Sequence, residues 1–144
     1  MDYQEIIETA KQYVSESMQA LSDEYWWAYY WRRGECLKRG RRFDWSAGCR
    51  VKETATGGCL EWFVMQPQGK GKKAFFKHIR IRNRASNQQT AEFTKLHAEE
   101  KKIIRAIDAK EREIRKVTQA ITNINQRMRW LEKNISDAKA RLGG

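Results

Sequence analysis

Proline and histidine are nearly missing from this chain: Pro67, His78 and His97 are all that 144 residues contain of them. With no proline outside one loop, nothing interrupts the long stretches on either side, which are free to form unbroken helices. The two histidines stand apart, with no neighbouring Ser or Asp to orient them, so the His cluster of a relaxase-like nuclease is not formed. Cysteine is also scarce. Cys36, Cys49 and Cys59 are an odd number at irregular spacing, unlike a secreted disulfide framework. No apolar run reaches the roughly 18 residues of a membrane-spanning helix. The first residues, Met1-Asp2-Tyr3-Gln4-Glu5, lack the basic-then-apolar order of a signal peptide. Together these absences predict a cytoplasmic protein in a reducing environment, without a membrane partner.

Negative charge is the other shortage. Lys and Arg number 29 against 18 Asp and Glu, a net of +11. The excess is concentrated: residues 1–31 carry a net of −5, residues 32–84 a net of +11 and residues 85–144 a net of +5. A basic middle third points to a polyanionic partner, namely DNA, RNA, an anionic surface or an acidic protein.

What is abundant is helical periodicity. From residue 96 to 142 the apolar residues recur three and four apart, and with Ile107 at position a the a series reads Ile107, Ile114, Ile121, Met128, Ile135, Leu142. The d series reads Leu96, Ile103, Lys110, Val117, Ile124, Leu131, Ala138. Such a repeat predicts a coiled-coil helix over residues 91–144, with Ile107, Ile114, Val117, Ile121, Ile124, Met128, Leu131 and Ile135 at a homodimer seam. At about 1.5 Å per residue it is roughly 70–80 Å long, and needs a second copy or the N-terminal helix folded back along it. Lys110 in the d series either sets register or lies outside the pairing. Trp130, at position c, is buried only if another element reaches it.

Residues 1–90 read as a head. Tyr3, Ile6, Ile7, Ala10, Val14, Met18 and Leu21 make one stripe of an amphipathic helix. The phase through Ile7, Val14, Leu21 and Ala28 carries that helix past Ser22-Asp23-Glu24. Tyr25-Trp26-Trp27-Ala28-Tyr29-Tyr30-Trp31 then covers every helical face with aromatics, for packing at a core or dimer surface or for stacking on unpaired bases. Beyond Gly40 the period becomes two. Cys49, Val51, Glu53 and Ala55 alternate with Arg50, Lys52 and Thr54. Leu60, Trp62 and Val64 alternate with Glu61, Phe63 and Met65, and Phe75, Lys77, Ile79 and Ile81 with Phe76, His78, Arg80 and Arg82. Three strands with short connections predict an antiparallel meander covered on one face by the aromatic helix. The fold class is therefore α+β: an N-terminal amphipathic and aromatic helix, a three-stranded antiparallel meander and a long C-terminal helix. Thr90 is the expected N-cap of the last element.

The basic meander is the candidate site. Arg41, Arg42, Arg50, Lys52, Lys70, Lys72, Lys73, Lys77, Arg80, Arg82 and Arg84 are its candidate contacts to double-stranded DNA, a two-stranded ribbon being suited to the major groove. Loop lysines would hold phosphates, which position without specifying. The competing reading is a solvated, lysine-protected sheet. A zinc site from Cys36, Cys49, Cys59 and His78 is disfavoured, since structural sites pair cysteines about two to four residues apart. Cys49 and Cys59 read instead as small core residues facing each other across the hairpin. Gly69-Lys70-Gly71-Lys72-Lys73 lacks P-loop spacing. The acids pair with bases at helical spacing, as Glu111 with Arg115 and Asp108 with Arg112, which reads as a solvated face. No catalytic group and no cofactor is expected, and the chain reads as a binding protein rather than an enzyme.

The aromatic-basic helix through Tyr25-Trp26-Trp27-Ala28-Tyr29-Tyr30-Trp31-Arg32-Arg33, the strands through Gly48-Cys49-Arg50-Val51 and Leu60-Glu61-Trp62, and the helical C-terminal segment together resemble the MobI-type mobilisation proteins of conjugative elements. That resemblance implies a cytoplasmic bacterial accessory factor that binds an origin of transfer and assists a relaxase. The residues themselves also leave open a coiled-coil inhibitor of a phage or mobile element, and a single-strand or RNA binder.

Overall fold

The structure, a computed structural model, describes residues 2–66, 75–82 and 88–143. Helix α1 spans Tyr3–Lys38 without a break. Its start is fixed by a capping box: the Asp2 carboxylate accepts from the Glu5 amide at 2.9 Å, and the Glu5 carboxylate accepts from the Asp2 amide at 3.3 Å. No proline follows, and Ile7, Val14, Met18, Leu21, Tyr25 and Tyr29 return to one buried stripe. Ser22 is buried within that stripe, so the polar triplet continues the helix, as its phase predicts.

Strands β1 (Ala47–Lys52), β2 (Cys59–Gln66) and β3 (Phe75–Ile79) form an antiparallel meander in that order. Ala47 pairs with Val64, Cys49 with Trp62, Val51 with Leu60, and Trp62 with Ile79. Apart from half-buried Val51, these side chains are buried, so one face of the sheet carries the core. Gly48, Arg50, Glu61, Phe63, Phe76 and His78 alternate onto the other face. β1 ends earlier than its alternation suggested, because residues 54–57 turn: the Gly57 amide donates to Thr54 O at 3.1 Å. Gly57 has φ +122°, and a Cβ there would lie 2.5 Å from the Lys11 carbonyl oxygen, so the hairpin tip can press on α1 only as glycine. The two hairpin cysteines do not face each other. Cys49 lies opposite Trp62 in the core, whereas Cys59 lies opposite Lys52 and points to the other face.

A short helix α2 (Ala91–Thr94) is capped by Thr90, whose hydroxyl accepts from the Phe93 amide and donates to the Arg80 carbonyl. Helix α3 (Ala98–Arg141) is capped by His97, with Nδ1 accepting from the Glu99 amide at 3.2 Å. Its buried residues are Glu100, Ile104, Ile107, Asp108, Glu111, Ile114 and Ile121. Glu100 meets the start of β1 beside Tyr25, while Glu111 meets Leu60 near the hairpin end, which lies against Lys11 and Val14. α1 and α3 are therefore antiparallel. The N-terminal helix is the partner that folds back along the seam. Ile107, Ile114 and Ile121 are buried inside the single chain, so they do not form an open dimer seam, and the first half of α3 belongs to the same core as residues 1–90. Lys110 turns to α1 and pairs with Glu24 at 2.8 Å, which accounts for a lysine in the d series. Beyond Ile121 no residue of α3 is buried: Leu131, Ile135, Leu142 and Trp130 are exposed. No helix among the described residues is long and apolar enough to cross a membrane.

The fold is locked at Glu100, which is 0% exposed. Its Oε1 accepts from the Ala47 amide at 2.6 Å, the Ser46 amide at 3.1 Å and the Tyr25 hydroxyl at 3.2 Å, while that hydroxyl also lies 2.5 Å from the Ala47 carbonyl. α1, the entry to β1 and α3 thus meet at one carboxyl group. Burial pushes the Glu100 carboxyl and the Tyr25 phenol above their ordinary ranges. Removing the acceptor strands buried amides, so Glu100→Ala is expected to cost about 3 kcal/mol in urea unfolding, and Glu100→Gln, which keeps one oxygen, clearly less. Equal losses would show that the side chain fills space and accepts nothing.

Candidate nucleic-acid interface

Backbone accounting in β2 explains a cleft between the sheet and α3. The Met65 amide donates to Ser46 on the β1 side, so alternation turns the amides of residues 64, 62 and 60 toward β3. The β2–β3 ladder stops at Trp62 and Ile79, because the chain then veers away and Arg82 bridges to Gln89. The Leu60 amide is left without a strand. Glu111 of α3 takes the vacant place, its Oε2 accepting from that amide at 2.8 Å.

Where the strands part, a cleft of about 640 Å³ opens between the sheet and α3. Leu60, Trp62, Ile79 and Ile81 form apolar wall, Asp108 and Glu111 lie deep, and Lys52, Arg80, Arg82, Arg112 and Arg115 contribute five cations. The buried acids orient three of the guanidinium groups. Asp108 Oδ2 lies 3.3 Å from Arg112 Nε and 3.9 Å from Arg82 Nε, and Glu111 Oε1 pairs with Arg115. These ion pairs have the helical spacing expected from the sequence, but they are not a solvated face: Asp108 is 7% exposed and Glu111 1%. Burial pushes the Glu111 carboxyl up, against the opposing pull of Arg115 and the Leu60 amide.

The structure brings together only part of the predicted basic set. Lys52, Arg80 and Arg82 converge on the cleft. Arg80 and Arg82 lie beyond the end of β3, so they do not sit on a regular two-stranded ribbon. Arg50 is on the outer sheet face, where Glu61 holds both it (3.5 Å) and His78 (2.8 Å). Lys77 does not extend this patch. It alternates with Phe76 and His78 onto the opposite side and pairs with Glu92 at 3.9 Å. Arg41 and Arg42 are exposed between α1 and β1, toward the end of β1 opposite Lys52, roughly 20 Å away along a strand of that length. Lys70, Lys72, Lys73 and Arg84 lie outside the described residues. Arg112 and Arg115 are the members that sequence reasoning missed. Their signal was a basic pair three apart on the flank of the buried stripe, legible only once that stripe is known to face the sheet.

Cys36, Cys49, Cys59 and His78 are not brought together. Cys36 is buried on α1, Cys49 faces the core, Cys59 and His78 lie on the other side of the sheet, and no metal-holding group of His, Cys, Asp and Glu occurs among the described residues. Burial pushes the Cys49 thiol up to about 11, so it stays protonated at neutral pH. Comparison with known protein families, curated proteins and solved structures finds no match for this chain.

Since the folded Glu111 carboxyl sits above its ordinary value of 4.5, the folded state retains a proton that the unfolded chain releases. Its contribution to stability is fully present below that value and declines as the pH rises through the raised folded one. The stability of the native chain relative to a Glu111→Gln variant is therefore expected to fall as pH is raised from 4.5 toward neutrality. Urea midpoints across that range check it, and a difference independent of pH would contradict a buried, uptitrated carboxyl.

Proposed function

We propose that this chain is a non-enzymatic, duplex-DNA-binding protein of the cytoplasm that acts as a homodimer. The observation that carries this reading is the convergence of Lys52, Arg80, Arg82, Arg112 and Arg115 on one cleft at the junction of the sheet with α3. Arg112 and Arg115 on α3 and Arg82 beside them are steered from behind by buried acids, which pre-positions them for phosphate oxygens and leaves little freedom to lose on binding. Arginine predominates among them, and its planar fork also suits guanine edges. Arg50 extends the basic surface around the sheet edge, and Arg41 and Arg42 add a second contact near the other end of β1.

Dimerisation is supported by the half of α3 beyond Ile121, where Ile124, Met128, Leu131 and Ile135 keep the heptad phase, the first two half-buried and the last two exposed. An apolar seam on a projecting helix is the form a coiled coil takes. Two heads on one stalk would place two clefts on neighbouring segments of a duplex. The resemblance to MobI-type proteins supports a more specific role, recognition of an origin of transfer in company with a relaxase.

Neutralising Lys52, Arg80, Arg112 and Arg115 together to Gln is expected to flatten the log–log salt dependence of duplex binding by about 3 to 4 units, since each lost phosphate contact removes roughly 0.9. Anisotropy titrations at several salt concentrations measure it, and an unchanged slope would remove the cleft from the interface. For the stalk, Leu131→Asp with Ile135→Asp is expected to halve the molar mass found by light scattering. A native chain that is already monomeric at micromolar concentration would overturn the dimer.

A further inference from the structure

A second surface is built from aromatic rings that do not line the cleft. Tyr30, Trp26, Phe63 and Phe76 form a continuous row, with neighbouring ring centroids 6.0, 6.4 and 5.3 Å apart. The row starts on α1, crosses β1 at the sheet's edge and runs onto the sheet face that α1 and α3 leave uncovered. Trp26 is fixed at the crossing by donating its indole N–H to the Cys49 carbonyl at 2.8 Å. The crossing needs Gly48, where a Cβ would lie 2.5 Å from the Phe63 ring and 2.8 Å from Trp26. Both ends of the row are open: Tyr30 is 58% exposed and Phe76 59%.

We infer that this row is a binding track for single-stranded DNA. Packing explains Trp26 and Phe63, which are half-buried, but leaves two large rings at the ends in solvent. Two arginines stand beside them: Arg33 follows Tyr30 by three residues on α1, and Arg50 lies beside Phe63, where Glu61 holds it together with His78. Rings in a row with cations alongside match a strand whose bases are unpaired and whose phosphates are charged, while a duplex keeps its bases stacked within itself. None of the four rings lines the basic cleft, which the track meets at Glu61 and His78, so the two adjoining surfaces together suit DNA that is part duplex and part melted.

The test titrates the full chain against labelled oligo-dT of about 12 nucleotides, oligo-rU of the same length and a duplex, reading anisotropy and tryptophan fluorescence. Tyr30→Ala with Phe76→Ala is expected to weaken dT binding roughly 10- to 100-fold while duplex affinity stays within about twofold. Tyr30→Trp with Phe76→Tyr is expected to restore dT binding, which separates stacking from damage to the fold. The fourfold Gln variant of the cleft is expected to lose duplex binding and keep most dT binding, so failure of one surface is distinguishable from failure of the other. No dT binding by the native chain, parallel loss of dT and duplex binding in the Ala pair, or tighter binding of rU than of dT would each overturn the inference.

Discussion

Two carboxyl groups on one side of α3, hydrogen-bonded to strand backbone, are the constraint on which the molecule depends. Glu100 receives the amides that lead into β1, and Glu111 receives the amide that β3 abandons. Burying a carboxyl is costly, and these two are retained because the alternative is buried peptide N–H groups with no acceptor. They stand eleven residues apart, three helical turns, so they fix α3 at two points along the sheet and leave it neither free rotation nor free sliding. Everything distal to them inherits that position: the guanidinium groups of Arg112 and Arg115, the cleft, and the angle at which the exposed half of α3 leaves the body.

The outline of this fold was legible because its signals are periodic. A 3.6-residue stripe through Ile7, Val14 and Leu21 and an alternation through Leu60, Trp62 and Val64 each admit one reading, and α1 and β2 lie where those patterns fall. The helix expected over residues 91–144 is instead split, Thr90 capping the short α2 and α3 starting only at Ala98. The site was less legible. An i,i+4 pair such as Glu111–Arg115 looks the same whether water or a sheet lies over it, since the spacing reports only that the pair shares a helix face. The heptad concealed the same fact. Position a carries Ile107, Ile114 and Ile121 in either arrangement, and only the burial of Ile104 and Glu111 at position e shows that the helix leans on its own sheet rather than on a second copy. Arg80 and Arg82 continue the alternation of β3 in sequence after the strand has ended in space. That ending depends on the pull of Thr90 and Gln89 from further along the chain.

The sheet carries two distinct surfaces. The cleft gathers arginines where the sheet opens, and the ring row occupies the outer face that no helix covers. Both rest on the same sheet, and Glu61 touches both, lining the cleft while holding Arg50 and His78 beside Phe63. The half of α3 beyond Ile121 adds a third surface, on which Trp130, Leu131 and Ile135 are exposed.

The most direct measurement of the central claim is a map of perturbed signals on binding. Side-chain Nε resonances of the arginines, followed by NMR as duplex DNA is added, report which guanidinium groups meet phosphate. Duplex binding in the cleft requires Arg80, Arg82, Arg112 and Arg115 to shift together and to saturate at one stoichiometry. Shifts confined to Arg32, Arg33 and Arg39 at the end of α1, with the cleft arginines unmoved, would contradict it.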